Sequence, residues 1–188
     1  MIAEILSKLK GELQNAFINL DEWFAVNDSL LNYRPQNGGW STTEILEHVS
    51  LTNHYLLILI RKGTEKALQK ASKLNLASEV SNYEFNWNAL QAIGEHGLFE
   101  WNRPEHMEPT KKVLKGQVKS RLNEQLNECL GYLQRMPNGE GALYKTTMSV
   151  NNLGKIDVYH YIYFLAQHIQ RHIKQMEKIL LEFKNTFA

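Results

Sequence analysis

The chain has 188 residues, 43% hydrophobic and 22% charged, a composition typical of globular proteins and unlike that of disordered or collagen-like chains. Its 21 basic and 20 acidic residues leave a net charge of +1, so no strong field of one sign attracts nucleic acid or an anionic membrane. The single cysteine, Cys129, excludes an internal disulfide, and the longest apolar run, residues 55–60, is far shorter than the roughly 20 residues that span a bilayer.

Four segments carry apolar residues at the three- and four-residue spacing of an amphipathic helix. The first runs from residue 2 to about residue 31. The second begins at Ser41, which forms a predicted capping box with Glu44, and fades between residues 63 and 68. The third covers about 116–136, and the fourth runs from Asp157, its predicted N-cap, to about residue 183.

The connections between these helices are long. Residues 70–115 include a predicted short helix at 82–93 and a loop at 99–109 with two prolines; a connection of this length usually has a task such as covering a site. Residues 142–154 are predicted as a loop with extended character at 143–150. We therefore expect an all-α four-helix bundle, formed by a single cytoplasmic domain over residues 1–188.

Three of the seven histidines lie on the apolar faces of these helices, His48 on the second and His168 and His172 on the fourth. A four-residue step places His168 and His172 one above the other, where two imidazoles can chelate one ion. An imidazole from the second helix would complete a three-nitrogen site with an open coordination position, as in catalytic metal sites. The spacing alone is a weak pattern, and histidines on an apolar face are often simply hydrogen-bonded core residues, so this interpretation stays open.

The other candidate residues have weaker signals. His54 lies off the apolar face of its helix, and His160 is rotated away from the pair on the fourth helix. His96 and His106 fall in the irregular segment and could approach the site as part of a lid. Cys129 lies on the apolar face of the third helix and is predicted to be a buried hydrophobic residue.

Two motifs carry a resemblance to a known family. They are Gly39-Trp40-Ser41-Thr42-Thr43-Glu44-Ile45-Leu46-Glu47-His48 and, after Asn152-Leu153-Gly154-Lys155-Ile156-Asp157, His168-Ile169-Gln170-Arg171-His172-Ile173-Lys174-Gln175. In this order and at this separation they resemble the DinB-like superfamily of metal-binding bundles, which includes YfiT-type proteins. The resemblance implies an up-down-down-up bundle, often a homodimer. It also implies that a divalent ion, such as zinc, nickel or iron, is bound by His48, His168 and His172.

The resemblance implies an enzyme in which the ion activates water or a low-molecular-weight thiol, because some relatives join bacterial thiols to electrophiles. Gln175 or Glu44 could then orient an imidazole or a bound ligand. Several aromatic residues could line a pocket for a small-molecule substrate: Trp40, Tyr55, Tyr159, Tyr161 and Tyr163. The alternatives are a metal-containing bundle that binds a small molecule or a partner protein without catalysis, and a metal-free structural bundle. Neither nucleic acid nor a membrane is an expected partner.

Overall fold

The computed structural model of the protein describes residues 2–98 and 104–187. Within these ranges the helices are α1 (Ile2–Glu22), α2 (Asp28–Asn32), α3 (Thr42–Ala71), α4 (Leu76–Glu79), α5 (Trp87–Gln91), α6 (Lys115–Arg135) and α7 (Val158–Phe187). Two short strands, β1 (Lys145–Met148) and β2 (Gly154–Asp157), form an antiparallel hairpin that leads directly into α7. The helical content confirms the predicted all-α class, and β1 coincides with the predicted extended segment.

The four long helices enclose the core. Both α1 and α3 pack against α6 and α7, so the apolar faces of all four helices meet. Leu13, Ile45, Cys129 and Ile169, one from each helix, are fully buried there. None of the helices in the described part of the chain is both long and apolar enough to cross a bilayer.

The prediction of one helix from residue 2 to about residue 31 is wrong, because α1 ends at Glu22. Trp23 and Phe24 follow in a turn but are still buried against the core, and the Asn27 side chain then caps α2 by accepting from the Leu30 N–H at 2.8 Å. The apolar pattern continues through the break because the turn residues also face inward. Periodicity alone therefore cannot locate this helix end.

The second predicted helix is longer than expected, since α3 continues to Ala71. Gly63, at which the helix was predicted to fade, is buried against the start of α7. A Cβ atom at this position would lie 2.9 Å from the Val158 Cγ2 atom. Gly63 is thus a packing residue that lets α3 and α7 approach closely.

The two helix starts predicted from capping residues, at Ser41 and Asp157, are confirmed. They determine where the histidines lie along α3 and α7. The Ser41 N–H donates to Glu44 Oε2 at 2.8 Å, and the Glu44 N–H donates to Ser41 Oγ at 3.4 Å, which completes the capping box of α3. At the start of α7, the His160 N–H donates to Asp157 Oδ1 at 3.1 Å. His48 therefore lies in the second turn of α3, and His168 lies in the third turn of α7.

Candidate metal centre

His48, His168 and His172 converge in the interior between α3 and α7. One ring nitrogen of each lies within 4.8 Å of those of the other two. The Nε2 atoms of His168 and His172 are 3.1 Å apart, and the centroid of the His48 ring is 5.4 Å and 4.8 Å from those of His168 and His172. The three residues are 3%, 1% and 7% exposed. The three imidazoles thus form one buried cluster.

The spacing of this cluster fits a small divalent ion. Two imidazole nitrogens bound to zinc at 2.0–2.1 Å are separated by about 3.3 Å in tetrahedral geometry and about 2.9 Å at a right angle. The 3.1 Å between His168 and His172 falls between these values. A shift of about 1.5 Å in the His48 ring would bring a nitrogen at the 4.8 Å limit to the tetrahedral separation of about 3.3 Å.

Hydrogen bonds on the far side of two rings determine which nitrogen faces the cluster. His48 Nδ1 lies 2.7 Å from the Met107 carbonyl oxygen, which can only accept, so Nδ1 carries the hydrogen. His172 Nδ1 donates in the same way to Gln175 Oε1 at 2.8 Å. Both residues therefore present an Nε2 lone pair to the cluster, the arrangement that metal-binding histidines normally show.

Burial keeps the cluster neutral. Desolvation lowers the pKa of His168 well below 6.5, and the neighbouring His172 lowers it further. Desolvation also lowers the pKa of His172 well below 6.5, with His48 as the second cause. Because imidazole must be neutral to bind a metal, these residues are ready to act as ligands near pH 7. The two Nε2 atoms lie 3.1 Å apart, within hydrogen-bond distance of each other.

A cavity of about 590 Å³ opens beside the cluster. Its wall comes from α3 and the residue before its cap, from α7, from His96, from the 104–107 segment and from residues 148–150. Its apolar part includes Trp40, Tyr55, Leu59, Met148, Val150 and Phe164. This volume and lining suit a small molecule with an apolar body. An open space next to three nitrogen donors is the arrangement expected of a site whose remaining coordination position is available to a ligand.

Arg171 adds a buried guanidinium group to this wall, and the sequence analysis assigned it no role. It is 8% exposed, and its Nη1 donates to the Glu95 carbonyl oxygen. Burial lowers the pKa of Arg171, and its positive charge contributes to the low pKa values of His168 and His172. The sequence offered one indication that Arg171 belongs to the site: it directly precedes His172, a candidate ligand, on an apolar helix.

The two histidines of the irregular segment differ in position. His96 lines the cavity, as a lid residue would, and burial together with Lys178 lowers its pKa. His106 is exposed, and its ring packs against Tyr55 with centroids 4.3 Å apart. The predicted loop at 99–109 lies outside the described residues over 99–103.

The remaining histidines and the cysteine do not reach the cluster. His54 is exposed on α3. His160 lines a different cavity and pairs with Asp157 at 2.8 Å, so it does not line the candidate metal pocket. Cys129 is fully buried, and desolvation raises the pKa of its thiol, which agrees with its predicted role as a buried hydrophobic residue.

Of the two residues predicted to orient a ligand, Gln175 accepts a hydrogen bond from His172 Nδ1 through its Oε1 atom. The polar contacts of Glu44 are instead with Ser41, Arg34 and Lys111, so its carboxylate serves the capping box and two ion pairs.

Two of the five predicted pocket aromatics, Trp40 and Tyr55, line the cavity. Tyr159 and Tyr161 are core residues instead, with hydroxyls that donate to the carbonyl oxygens of Met136 and Thr147. Tyr163 is also buried, against Phe85 and Trp87.

Comparison with known families adds one finding. Residues 13–176, which include all three histidines of the cluster, match the sequence profile of the DinB superfamily. No curated protein and no solved structure shows significant similarity to the chain.

Proposed function

Because the chain belongs to the DinB superfamily, we propose that it is a metal-dependent enzyme whose divalent ion is held by His48, His168 and His172. The observation that carries this proposal is the convergence of three buried imidazoles at the wall of a cavity large enough for a small molecule. Zinc, nickel and iron all suit three imidazole ligands. The up-down-down-up topology and the homodimer implied by the family resemblance form part of the same proposal.

Such an ion would act as a Lewis acid and lower the pKa of a water molecule or of a low-molecular-weight thiol in the cavity. The protein residues have separate tasks. The Met107 carbonyl and the Gln175 side chain hold His48 and His172 with Nε2 toward the ion. The Arg171 guanidinium favours the anionic form of the nucleophile, which is the reactive form of a thiol.

The apolar part of the cavity binds the second reactant in this proposal. Leu59, Met148 and Val150 offer an apolar surface for the body of an electrophile. Transfer of a thiol to an electrophile is our preferred reaction, and hydrolysis is the second choice. The family resemblance alone favours this order, since one fold supports several chemistries.

The proposal is tested with untagged protein loaded with Zn²⁺, Ni²⁺ or Fe²⁺. We expect one metal ion per chain, and turnover of a low-molecular-weight thiol with a model electrophile that requires the ion. His168→Gln should lose both, whereas the control His54→Gln, on an exposed position of α3, should keep both. Turnover that survives the loss of metal would refute the mechanism. Stoichiometric metal without turnover of thiol or ester substrates would instead favour a non-catalytic binding bundle, and absence of stoichiometric metal would favour a structural one.

A further inference from the structure

Residues 104–111, which we call the strap, cross over α3 beside the metal centre. We propose that Glu47 is a positioning residue: it fixes the strap, and the Met107 carbonyl on the strap fixes His48 with Nε2 toward the ion. The second half of this inference rests on the proposed function, since it takes His48 as a ligand. The first half concerns the metal-free protein and stands independently.

The Glu47 carboxylate accepts three hydrogen bonds from the strap. Its Oε1 atom accepts from the Thr110 N–H at 2.9 Å and from the Thr110 hydroxyl at 2.6 Å. Its Oε2 atom accepts from the Lys111 N–H at 3.0 Å. Glu47 is only 3% exposed, and bonds from two successive N–H groups to a buried carboxylate belong to the strong, charge-assisted class.

The backbone of the strap is shaped for this contact. Lys111 has a φ of 64°, in the left-handed region that residues other than glycine rarely adopt. Such a conformation persists where surrounding contacts determine it. Here it turns the N–H groups of Thr110 and Lys111 toward the Glu47 carboxylate. We call the three hydrogen bonds from the strap to Glu47 the clamp. The clamp stabilises the left-handed conformation of Lys111, and that conformation in turn places the two N–H groups for the clamp.

Burial of apolar surface contributes little to holding the strap. Of its residues only Met107 and Pro109 are half-buried, and the others are exposed. Besides the three hydrogen bonds to Glu47, the strap makes the hydrogen bond from His48 Nδ1 to the Met107 carbonyl, the contact of the His106 ring with Tyr55, and the ion pair from Lys111 Nζ to Glu44 at 3.0 Å. We therefore assign to Glu47 the main part of the strap's attachment to α3.

The clamp is coupled to the metal centre because Glu47 and His48 are neighbours on α3 and both bind the strap. His48 Nδ1 donates to Met107, three residues before Thr110. A strap released from Glu47 no longer holds the Met107 carbonyl at 2.7 Å, and His48 then loses the acceptor that keeps the hydrogen on its Nδ1 atom. Loss of a partner that orients a ligand typically costs 10–100-fold in metal affinity.

The experiment compares Zn²⁺ affinity, measured by competition with a chelator, in four variants and the parent. Glu47→Gln should bind Zn²⁺ about 10–100-fold more weakly. Since this change also removes a negative charge, Thr110→Val is the charge-neutral test, and it should weaken binding in the same direction. Thr110→Ser, which keeps the hydroxyl, should restore parental affinity. Lys111→Met is the matched control, because it removes the ion pair to Glu44 but keeps the backbone N–H on Glu47.

Two further measurements use the metal-free protein. In Glu47→Gln the amide hydrogens of the strap should exchange faster than in the parent, while those of α6 are unchanged. By nitrogen NMR, His48 should lose its uniform Nδ1–H form. Should Glu47→Gln not fold, Thr110→Val decides by the same measurements. Parental Zn²⁺ affinity in folded Glu47→Gln or Thr110→Val would overturn the positioning role. A parent that binds no Zn²⁺ would refute the proposed function; the His48 tautomer in Glu47→Gln would then decide the inference, and an unchanged Nδ1–H form would overturn it.

Discussion

Acidification of the metal-free protein from pH 7.5 to 5.5 should destabilise it through His168 and His172. Both residues have pKa values well below 6.5 when folded, because desolvation opposes their protonation. In the unfolded chain they return to about 6.5. Between these limits the unfolded state binds protons that the folded state does not, so the free energy of unfolding falls as the pH falls. This stability is fully present above pH 6.5 and is lost toward the folded pKa values.

The size of the effect follows from the linkage relation. A group with an unfolded pKa of about 6.5 that stays neutral in the folded state contributes between about 1 and 2 kcal/mol over this interval. Two such groups together give at most about 3 kcal/mol, a large part of the 5–15 kcal/mol typical of a folded domain. The window lies above the ordinary pKa range of carboxyl groups, so aspartate and glutamate contribute little to it.

The assay is urea unfolding followed by far-ultraviolet circular dichroism, with a chelator present. The double variant His168→Gln/His172→Gln should lose most of the pH dependence, and the remainder is expected from His96, whose pKa burial also lowers. His54→Gln, at an exposed position, should behave as the parent. Saturating Zn²⁺ should raise stability at pH 7.5 in the parent and leave the double variant unchanged. A double variant that keeps the full parental slope would refute the assignment to these two histidines.

Three other changes have specific expected outcomes. Gly63→Ala should lower the free energy of unfolding by about 1–3 kcal/mol because the new Cβ meets Val158 Cγ2 at 2.9 Å, and addition of Val158→Ala should recover part of this loss; urea titration measures both, and an unaltered Gly63→Ala would contradict the close approach. Cys129, fully buried and with a raised pKa, should not react with a thiol reagent in the native protein but should react in urea, so rapid native labelling would be inconsistent with the core packing. Gln175→Leu should weaken Zn²⁺ binding by about 10-fold because His172 Nδ1 loses its acceptor, as competition with a chelator would show; Gln175→Glu, which keeps an acceptor, is the control.

The histidine cluster could be anticipated from the sequence because regular helices make side-chain direction periodic. His168 and His172 share a face of α7 by spacing alone, and the capping box at Ser41 fixes the start of α3 and with it the direction of His48. The end of α1 could not be anticipated, because Trp23 and Phe24 continue the apolar pattern through a turn. A buried turn and a helix therefore show the same pattern of apolar residues, and the pattern cannot locate the end of the helix.

Contacts between distant parts of the chain account for most of what the sequence analysis missed. Glu47 lies on a helix with many polar residues, and only its contact with Thr110, 63 positions later, distinguishes it from a solvated side chain. The hydrogen bond from His48 to the Met107 carbonyl could not be predicted either, because every residue has a backbone carbonyl and the residue type does not show which one is used. Tyr159 and Tyr161 could belong to a pocket or to the core on sequence grounds, because the residue type of an aromatic side chain on an apolar helix face does not distinguish the two.

The cavity wall described above draws on α3, α7, the strap and the β1–β2 turn, and in the described part of the chain it takes no residue from α1 or α6. Of the four long helices, α3 and α7 thus line the candidate site, while α1 and α6 contribute only to the packing of the core. Ser149 and Val150 lie in the short connection between β1 and β2, which takes no part in the packing of α1 on α6, whereas Met148 at the end of β1 is buried. Selectivity for different small molecules can therefore diverge by exchange of this connection alone, which makes it the first place to diversify when redesigning the protein for a new reactant.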